Sequence, residues 1–325
     1  MPASAPLYVD CDTGIDDALA LAYLLARDAR IVGIGTVPGN VAAAAGARNT
    51  LDLLEVLGAP PIPVAVGCEG FTTHRFAPRP GARVHGANGI GDVALPPSSR
   101  QADPRHAVSL LGDLARSHPG ELRILALGSV TNLAAALAED PELPRLVRDV
   151  TIMGGAALAP GNITPAAEAN IAHDPEAAAS VLAAGWGVTL VPLDVTMRQR
   201  LTAAQTAELR ATGDAGLVAV ADILEHYLDF YGARYGERAA ALHDPLAAAV
   251  LLGDVPLSLA AHAAVVVDTT DGPGRGQTIV DLRDIYGGFR SQDPSHPRIA
   301  LRIDADFGAQ LVETLLRWRG SGAPA

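Results

Sequence analysis

Short apolar runs alternate with stretches of helical periodicity through the first two thirds of the chain. Runs rich in Val, Ile and Leu that end in polar or glycine-containing turns indicate buried strands. We expect strands at Leu7–Val9, Ile31–Val37, Ile62–Val66, Leu122–Leu127, Asp149–Met153 and Gly187–Pro192. Helical patterns lie between most of them, at Asp17–Arg27, Val41–Leu57, His106–Ser117, Leu133–Ala138 and Asp174–Ala184. This alternation predicts the α/β class, with a mostly parallel, open sheet covered by helices.

The last third of the chain follows a different pattern. It is mostly helical from Thr202 to about Leu252. Further strands are expected at Ala263–Asp268, Thr278–Leu282 and Arg298–Ile303, and a closing helix at Phe307–Trp318. No repeat or linker divides the chain. We therefore predict a single domain over residues 1–325, with its core at about residues 7–318 and short flexible N- and C-terminal ends.

Two Gly- and Pro-rich segments, Cys68–Asp103 and Gly154–Ala169, show no periodicity and are predicted to be loops. Loops of such length are often lids or binding loops. Asp174 followed by Pro175 is typical of a helix start, and Asn40 is a candidate cap for the helix after the second strand.

Composition narrows the possible partners. The chain has 325 residues, is 49% hydrophobic and carries a net charge of −12. Because it has no basic run, we expect no nucleic-acid partner. Its two cysteines form no disulfide framework, and we identify neither a signal peptide nor a transmembrane segment. We therefore expect a cytoplasmic protein without membrane association.

Four aspartates lie within eight residues directly after the first predicted strand: Asp10, Asp12, Asp16 and Asp17. The run precedes a helical pattern, which places the acids on a strand-to-helix turn. Crowded carboxylates repel one another, and a cation relieves that repulsion. Carboxylate oxygens suit calcium or magnesium better than zinc. The run therefore predicts a metal site at the carboxyl end of a strand, where open α/β sheets bind ligands.

Other polar groups also follow predicted strand ends, so we expect them at the same rim of the sheet. Each of them alone is weak, because a lone Asn after a strand is usually a cap and His-Asp-Pro is usually a helix start. They are Asn40, the backbone carbonyl of Leu127, Asn162, Glu168, Asn170, and the pair His243-Asp244.

The run from Asp10 to Asp17 resembles the N-terminal motif of the inosine–uridine-preferring nucleoside hydrolases. Later motifs occur in the family's order: Thr36-Val37-Pro38-Gly39-Asn40, Val84-His85-Gly86, Leu127 to Asn132, Met153-Gly154-Gly155, Gly161-Asn162, Glu168-Ala169-Asn170 and His243-Asp244-Pro245. The resemblance covers roughly residues 7–305 and implies a Rossmann-like fold. It also implies hydrolysis of the N-glycosidic bond of ribonucleosides to ribose and free base, and a homotetramer or homodimer.

The resemblance further implies one tightly bound Ca²⁺ per chain and a set of ligands. The expected metal ligands are Asp12, Asp17, Asp244 and the carbonyl of Leu127. Asp12 would also act as general base toward a metal-polarised water. Asn40 would support the water or the ribose, and Asp10 would orient the metal-binding groups. The ribose hydroxyls would be held by Asp16, Asn162, Glu168, Asn170 and Asp244.

The leaving base needs a proton, and an imidazole can hold one near neutral pH. We predict His243 as the general acid. His85 matches the family's other histidine on the base side of the site. Tyr227 and Tyr231 match a helix segment that faces the base, where they could stack on it or relay a proton.

Two other functions are compatible with parts of this pattern. Asp10-Cys11-Asp12-Thr13 is similar to the start of Mg²⁺-dependent phosphatases that use an aspartate nucleophile. Those enzymes need a hydroxyl residue where this chain has Gly14. A non-catalytic nucleoside or ribose binder of the same fold is the other alternative. The sequence leaves the preferred nucleobase open.

Overall fold

One eight-stranded sheet forms the centre of the computed structural model, which describes residues 5–77, 84–283 and 292–318. Its strands are β1 (Leu7–Cys11), β2 (Ile31–Thr36), β3 (Val64–Val66), β4 (Leu122–Ala126), β5 (Val147–Met153), β6 (Val188–Val191), β9 (Leu257–His262) and β12 (Arg298–Ile303). Their order is β3-β2-β1-β4-β5-β6-β12-β9. The edge strand β9 runs antiparallel to β12, whereas the other neighbouring pairs are parallel.

Two small sheets stand apart from the central one. They are built from β7 (Arg200–Thr202) with β8 (Ala239–Ala241), and from β10 (Val265–Val267) with β11 (Thr278–Val280).

Helices cover both faces of the central sheet. They are α1 (Ile15–Ala26), α2 (Ala43–Val56), α3 (Ala107–Ser117), α4 (Thr131–Glu139), α5 (Leu143–Leu146), α6 (Ala169–His173), α7 (Pro175–Leu182), α8 (Leu193–Thr196), α9 (Ala203–Ala211), α10 (Ala215–Tyr235), α11 (His243–Leu252) and α12 (Phe307–Arg317).

The core consists of two apolar layers, one on each side of the sheet. Successive residues of a strand point to opposite faces. Tyr8 accordingly joins the layer that contains α3, α4 and α7, while Val9 joins the layer that contains α1, α10 and α11. Both side chains are fully buried. This two-sided burial explains why the first strand reads as a continuous apolar run.

The strand order reverses beside β1. The chain builds outward from β1 through β2 to β3, and then returns to place β4 on the other side of β1. In open α/β sheets, ligands bind outside the carboxyl ends of the strands at such a reversal. The aspartate run leaves the carboxyl end of β1, and Leu127 leaves that of β4.

The predicted α/β class and parallel sheet are confirmed, and every strand predicted in the first two thirds is present within a few residues. Three strands were missed, namely β7, β8 and β9. The Ala263–Asp268 and Thr278–Leu282 runs do form strands, but they pair with each other outside the central sheet. The predicted flexible ends lie largely outside the described residues.

One of the two predicted helix caps is present, and the other is not. Asp174 caps α7, since its Oδ1 accepts the N–H of Ala177 at 3.1 Å. The prediction that Asn40 caps the next helix was wrong, because α2 starts later and Ala42 occupies its N-cap. In the described parts of both predicted loops, no helix and no strand of the sheets is found except at Ala169, where α6 begins. None of the helices in the described ranges is long and apolar enough to span a bilayer.

Candidate active site

Three buried carboxylates meet at the carboxyl end of β1. Asp16 and Asp17 lie in the first turn of α1, and Asp244 lies in the first turn of α11. One oxygen from each of the three lies within 4.8 Å of the others. We call Asp16, Asp17 and Asp244 the acidic cluster. It joins two helices that are far apart in the sequence but pack against each other.

The cluster is short of hydrogen-bond donors. Asp17 Oδ2 accepts the N–H of Gly14 at 2.7 Å, but its buried Oδ1 has no hydrogen-bond partner in the part of the chain that is described. Burial and the charge of Asp16 raise the pKa of Asp17 to about 7. Burial raises the pKa of Asp16 to about 6, and burial with the neighbouring carboxylates raises that of Asp244. Each shift reflects negative charge that is costly to bury without a counterion.

Asp12 lies beside the acidic cluster. Its Oδ2 accepts the backbone N–H of Asn40 at 2.6 Å. Burial, followed by the charge of Asp17, raises the pKa of Asp12. The structure thus brings the predicted base next to the predicted metal ligands, although the tightest carboxylate group contains Asp16 and not Asp12. Asn40 supports Asp12 through its backbone.

His85 closes one side of the cluster. Its Nδ1 accepts the N–H of Ile15 at 3.1 Å and lies 3.7 Å from Asp16 Oδ1. Because Nδ1 accepts a hydrogen bond, the neutral ring carries its proton on Nε2. Burial lowers the pKa of His85 to about 3.

Asn170 connects the carboxyl ends of β4 and β5. Its Nδ2 donates to the carbonyls of Leu127 at 2.7 Å and Met153 at 3.1 Å. Both amide hydrogens are therefore used, and Oδ1 remains as an acceptor. The carbonyl of Leu127 has a second lone pair, so the bond from Asn170 leaves it able to bind a cation.

Glu168 and Asn162 hold the loop after β5. Glu168 Oε2 accepts the N–H groups of Gly155 at 2.9 Å and Ile171 at 3.2 Å, and Oε1 accepts that of Asn170 at 2.9 Å. Burial nevertheless raises the pKa of Glu168 to about 7. A carboxylate offers about four lone-pair positions, so about one remains for a further donor. Asn162 Oδ1 accepts the N–H of Ala169 at 2.9 Å.

A group of aromatic and hydroxyl side chains also borders the cluster, and it reaches His85 through Tyr227. His243 Nε2 is 3.0 Å from the hydroxyl of Tyr231, whose ring lies edge-on to that of Tyr227 at 4.9 Å. The hydroxyl of Tyr227 is hydrogen-bonded to Asp16. Burial, together with His85, lowers the pKa of His243 to about 4. Both predicted tyrosines therefore face the site.

Asp10 lies on β1, before the turn that leads to the acidic cluster, and it is fully buried. Its Oδ1 accepts from the hydroxyl of Tyr8 at 3.1 Å and from Asn132 Nδ2 at 2.9 Å, while Oδ2 has no hydrogen-bond partner among the described residues. Burial raises the pKa of Asp10 to about 7. Asn132 also donates to the carbonyl of Thr36, which ties the ends of β1 and β2 together.

Sequence reasoning missed several residues that shape this rim. Thr196 Oγ1 lies 2.8 Å from His243 Nδ1. Asp194 accepts the backbone N–H groups of residues 157–159 at 2.7 to 3.1 Å. Thr278 exchanges two 2.8 Å hydrogen bonds with the backbone of Ala156. Asp194 and Thr196 directly follow β6, so the rule that placed the other residues at strand ends would have found them.

The residues of the cluster fit a hard divalent cation. Its three side chains offer carboxylate oxygens, and one buried oxygen of Asp17 has no donor among the described residues. The negative charges also raise one another's pKa values. A bound cation would satisfy that oxygen and offset the repulsion. Asp16, Asp17 and Asp244 are placed to hold such an ion, with Asp12 beside them.

Comparisons with known proteins agree with this site. The sequence profile described as "Inosine-uridine preferring nucleoside hydrolase" matches residues 7–308. The chain is 37% identical over 277 residues to "Uridine nucleosidase 1" of Arabidopsis thaliana, which covers 85% of this chain and 81% of the relative. It is 32% identical over 306 residues to the "Inosine-uridine preferring nucleoside hydrolase" of Crithidia fasciculata, with 93% of each chain covered.

A solved structure also superposes closely on the fold. The "Purine-Preferring Ribonucleoside Hydrolase from Gardnerella vaginalis" aligns with a TM-score of 0.87 and 33% identity, over 96% of this chain and 98% of that one. Fold, site and sequence therefore agree, and the chain belongs to the inosine-uridine preferring nucleoside hydrolase family.

Proposed function

We propose that the protein hydrolyses the N-glycosidic bond of ribonucleosides to ribose and free base, using one bound Ca²⁺. One observation supports the proposal: a group of buried carboxylates with few hydrogen-bond donors lies next to the proposed general base, Asp12, and borders the His243–Tyr231 pair. This arrangement offers a site for a cation and a sugar, with proton-accepting and proton-donating groups on either side.

Calcium would be held by Asp12, Asp17, Asp244 and the carbonyl of Leu127, within a coordination number of about 6–8. When bound, it would polarise a water and two ribose hydroxyls and offset the carboxylate repulsion. Asp12 accepts the proton of the attacking water. The N–H of Asn40 at 2.6 Å fixes the orientation of that carboxylate, as general base catalysis requires.

The ribose is held by groups whose free hydrogen-bonding atoms remain available. Asn170 retains its Oδ1, Asn162 retains its Nδ2, and Glu168 retains about one lone-pair position. Asp16 and Asp244 complete this set. Such contacts orient the sugar and stabilise the positive charge that develops in it.

His243 protonates the leaving base, with Tyr231 in contact with its Nε2. His85 and Tyr227, whose ring centroids are 5.4 Å apart, line the base side of the site near Asp16. We further propose a cytoplasmic homodimer or homotetramer in which the whole activity resides in one domain. The two cysteines are free, as a reducing compartment allows.

A panel of nucleosides tests the activity. Inosine, adenosine, guanosine, uridine, cytidine and their 2′-deoxy analogues would be incubated with the protein and scored for reducing sugar. We expect release from ribonucleosides and little from deoxynucleosides, because the 2′-hydroxyl is a ligand of the ion. Binding without release would identify a non-catalytic binder. The panel also measures base preference, on which the relatives differ.

The phosphatase alternative conflicts with the geometry at Gly14. A Cβ atom there would lie 2.4 Å from Asn40 Nδ2 and 2.7 Å from His85 Nδ1, so the hydroxyl residue that the phosphatase scheme needs would displace both side chains. Hydrolysis of p-nitrophenyl phosphate with Mg²⁺ would nevertheless reinstate this alternative.

Replacing the proposed general base tests the role of Asp12. Asp12→Ala should reduce turnover by at least about 100-fold, since general base catalysis typically contributes about 10²–10⁴. The circular dichroism spectrum should remain that of the wild type. Near-wild-type turnover would refute the assignment.

The leaving group tests the role of His243. His243→Ala should slow the cleavage of inosine and uridine more than that of p-nitrophenyl riboside, because p-nitrophenolate departs without a proton. Rates on all three substrates would be compared in one preparation. Equal losses would argue against general acid catalysis.

A further inference from the structure

The imidazole of His243 is held between two hydroxyl groups. Nε2 lies 3.0 Å from the hydroxyl of Tyr231, and Nδ1 lies 2.8 Å from Thr196 Oγ1. His243 is 5% exposed and Thr196 is fully buried, so water does not replace either contact easily. Thr196 comes from α8, and 47 positions separate it from His243 in the chain.

A hydroxyl differs from other buried partners because it can both donate and accept. Each ring nitrogen of His243 faces one of these two hydroxyls, so the ring keeps both contacts in either tautomer. The two hydroxyls therefore hold the ring in one orientation.

Thr196 Oγ1 is the group that faces Nδ1 of this buried ring. Without its hydroxyl, Nδ1 would be buried and would lose the only partner found for it among the described residues.

We propose that Thr196 is a positioning residue for the reaction, which holds the ring of His243 in contact with Tyr231. The proposal rests on the proposed role of His243 in protonating the leaving base. Thr196 touches neither sugar nor base in this scheme, and it acts through the ring that it orients.

The test compares Thr196→Val, which keeps the shape and removes the hydroxyl, with Thr196→Ser, which keeps the hydroxyl. We expect Thr196→Val to lower kcat on inosine and uridine by about tenfold to a hundredfold, the effect of leaving a buried acceptor unpaired. Cleavage of p-nitrophenyl riboside should change by less than about twofold, because its leaving group needs no proton. Thr196→Ser should restore most of the nucleoside activity.

Thr206→Val is the matched control. Thr206 is also fully buried, and it donates to the carbonyl of Thr202 within α9 at 3.2 Å. The control should leave the ratio of nucleoside to p-nitrophenyl riboside turnover at the wild-type value. If Thr196→Val does not fold, Thr196→Ala takes its place in the comparison of nucleoside and p-nitrophenyl riboside turnover.

The outcomes are distinct. Equal losses on both kinds of substrate in a folded Thr196→Val, unchanged nucleoside turnover, or failure of Thr196→Ser to restore it would overturn the role of Thr196. A wild-type protein that cleaves none of the substrates would overturn the proposed function itself, and with it this inference.

Discussion

Two buried aspartates of this molecule lie at similar positions in the fold but differ in the hydrogen bonds that their carboxylates accept. Asp17 and Asp174 both lie at helix starts, and both are almost fully buried. Asp174 accepts four hydrogen bonds: its Oδ2 from the N–H and hydroxyl of Thr72 and the hydroxyl of Thr131, and its Oδ1 from Ala177 N–H. In Asp17, Oδ2 accepts from Gly14 N–H, whereas Oδ1 has no hydrogen-bond partner among the described residues.

The hydrogen-bond donors of the protein satisfy the carboxylate of Asp174, whereas the carboxylate of Asp17 keeps an oxygen that a ligand can bind. A buried carboxylate costs free energy unless donors or a cation compensate for its desolvation. At Asp174 the protein supplies the donors, so the acid stabilises the junction of α4, α7 and the loop at Thr72. At Asp17 the compensation must come from outside the chain, which is the signature of a binding site.

The largest expected effect follows from removing charge at Asp17. Asp17→Asn keeps an acceptor for Gly14 N–H but weakens the acidic cluster as a cation site, so hydrolysis of the best ribonucleoside should fall by at least about 100-fold. The metal-free variant should be at least as resistant to urea as the metal-free wild type, because one repelling charge is gone. A variant that retained activity but lost stability would remove the contrast with Asp174.

Calcium should stabilise the fold through the residues that are proposed to bind it, and Asp17 is one of them. At a free concentration of about 100 times its dissociation constant, a ligand of the native state adds about 2.7 kcal/mol to the free energy of unfolding. After chelation, adding Ca²⁺ to the wild type should give a gain of that order, and Asp17→Asn should lose most of it. Elemental analysis of the purified protein should find about one calcium per chain, and zinc in its place would overturn the assignment.

The sequence predicts the proximity of site residues that are close together in the chain. It predicts few of the contacts between segments that are distant in the chain. Asp12, Asp16 and Asp17 are separated by a few residues on one strand-to-helix turn, so their proximity follows from the chain itself. Glu168 and Asn170 likewise share one loop. The pairing of Asp244 with this turn followed from the resemblance to a family, because helix packing between α1 and α11 has no local signal.

The contacts that hold the reacting groups were not predictable in this way. Asp194 and Thr196 act on segments that are distant in sequence. Their position just after β6 indicates that they lie at the rim, but it does not indicate which groups they contact. Asn40 was expected to cap α2, but its backbone N–H is directed to Asp12 instead.

The strands that were missed have physical reasons. Ala239–Ala241 has the composition of a helix, yet it pairs with β7. Leu257–His262 has few β-branched residues and lies at an edge, where pairing with β12 fixes its conformation.

The smallest effect is expected from the corresponding substitution at Asp174. In Asp174→Asn an amide NH₂ replaces one acceptor oxygen, so at least one of the four donors that now face the carboxylate loses its partner. That loss should lower the free energy of unfolding by about 1–3 kcal/mol, measured by urea denaturation. Turnover per folded molecule and the stabilisation by Ca²⁺ should both remain within about twofold of the wild type, since no metal or sugar ligand has changed.

Thr131→Val provides the matched control for this change, because it removes a single donor and leaves the carboxylate in place. It should cost less stability than Asp174→Asn, since the other three hydrogen bonds to Asp174 remain. If Asp174→Asn instead abolished calcium binding while the fold persisted, then donor count would not distinguish the two kinds of buried acid. The argument that identifies the acidic cluster as a ligand site would then fail with it.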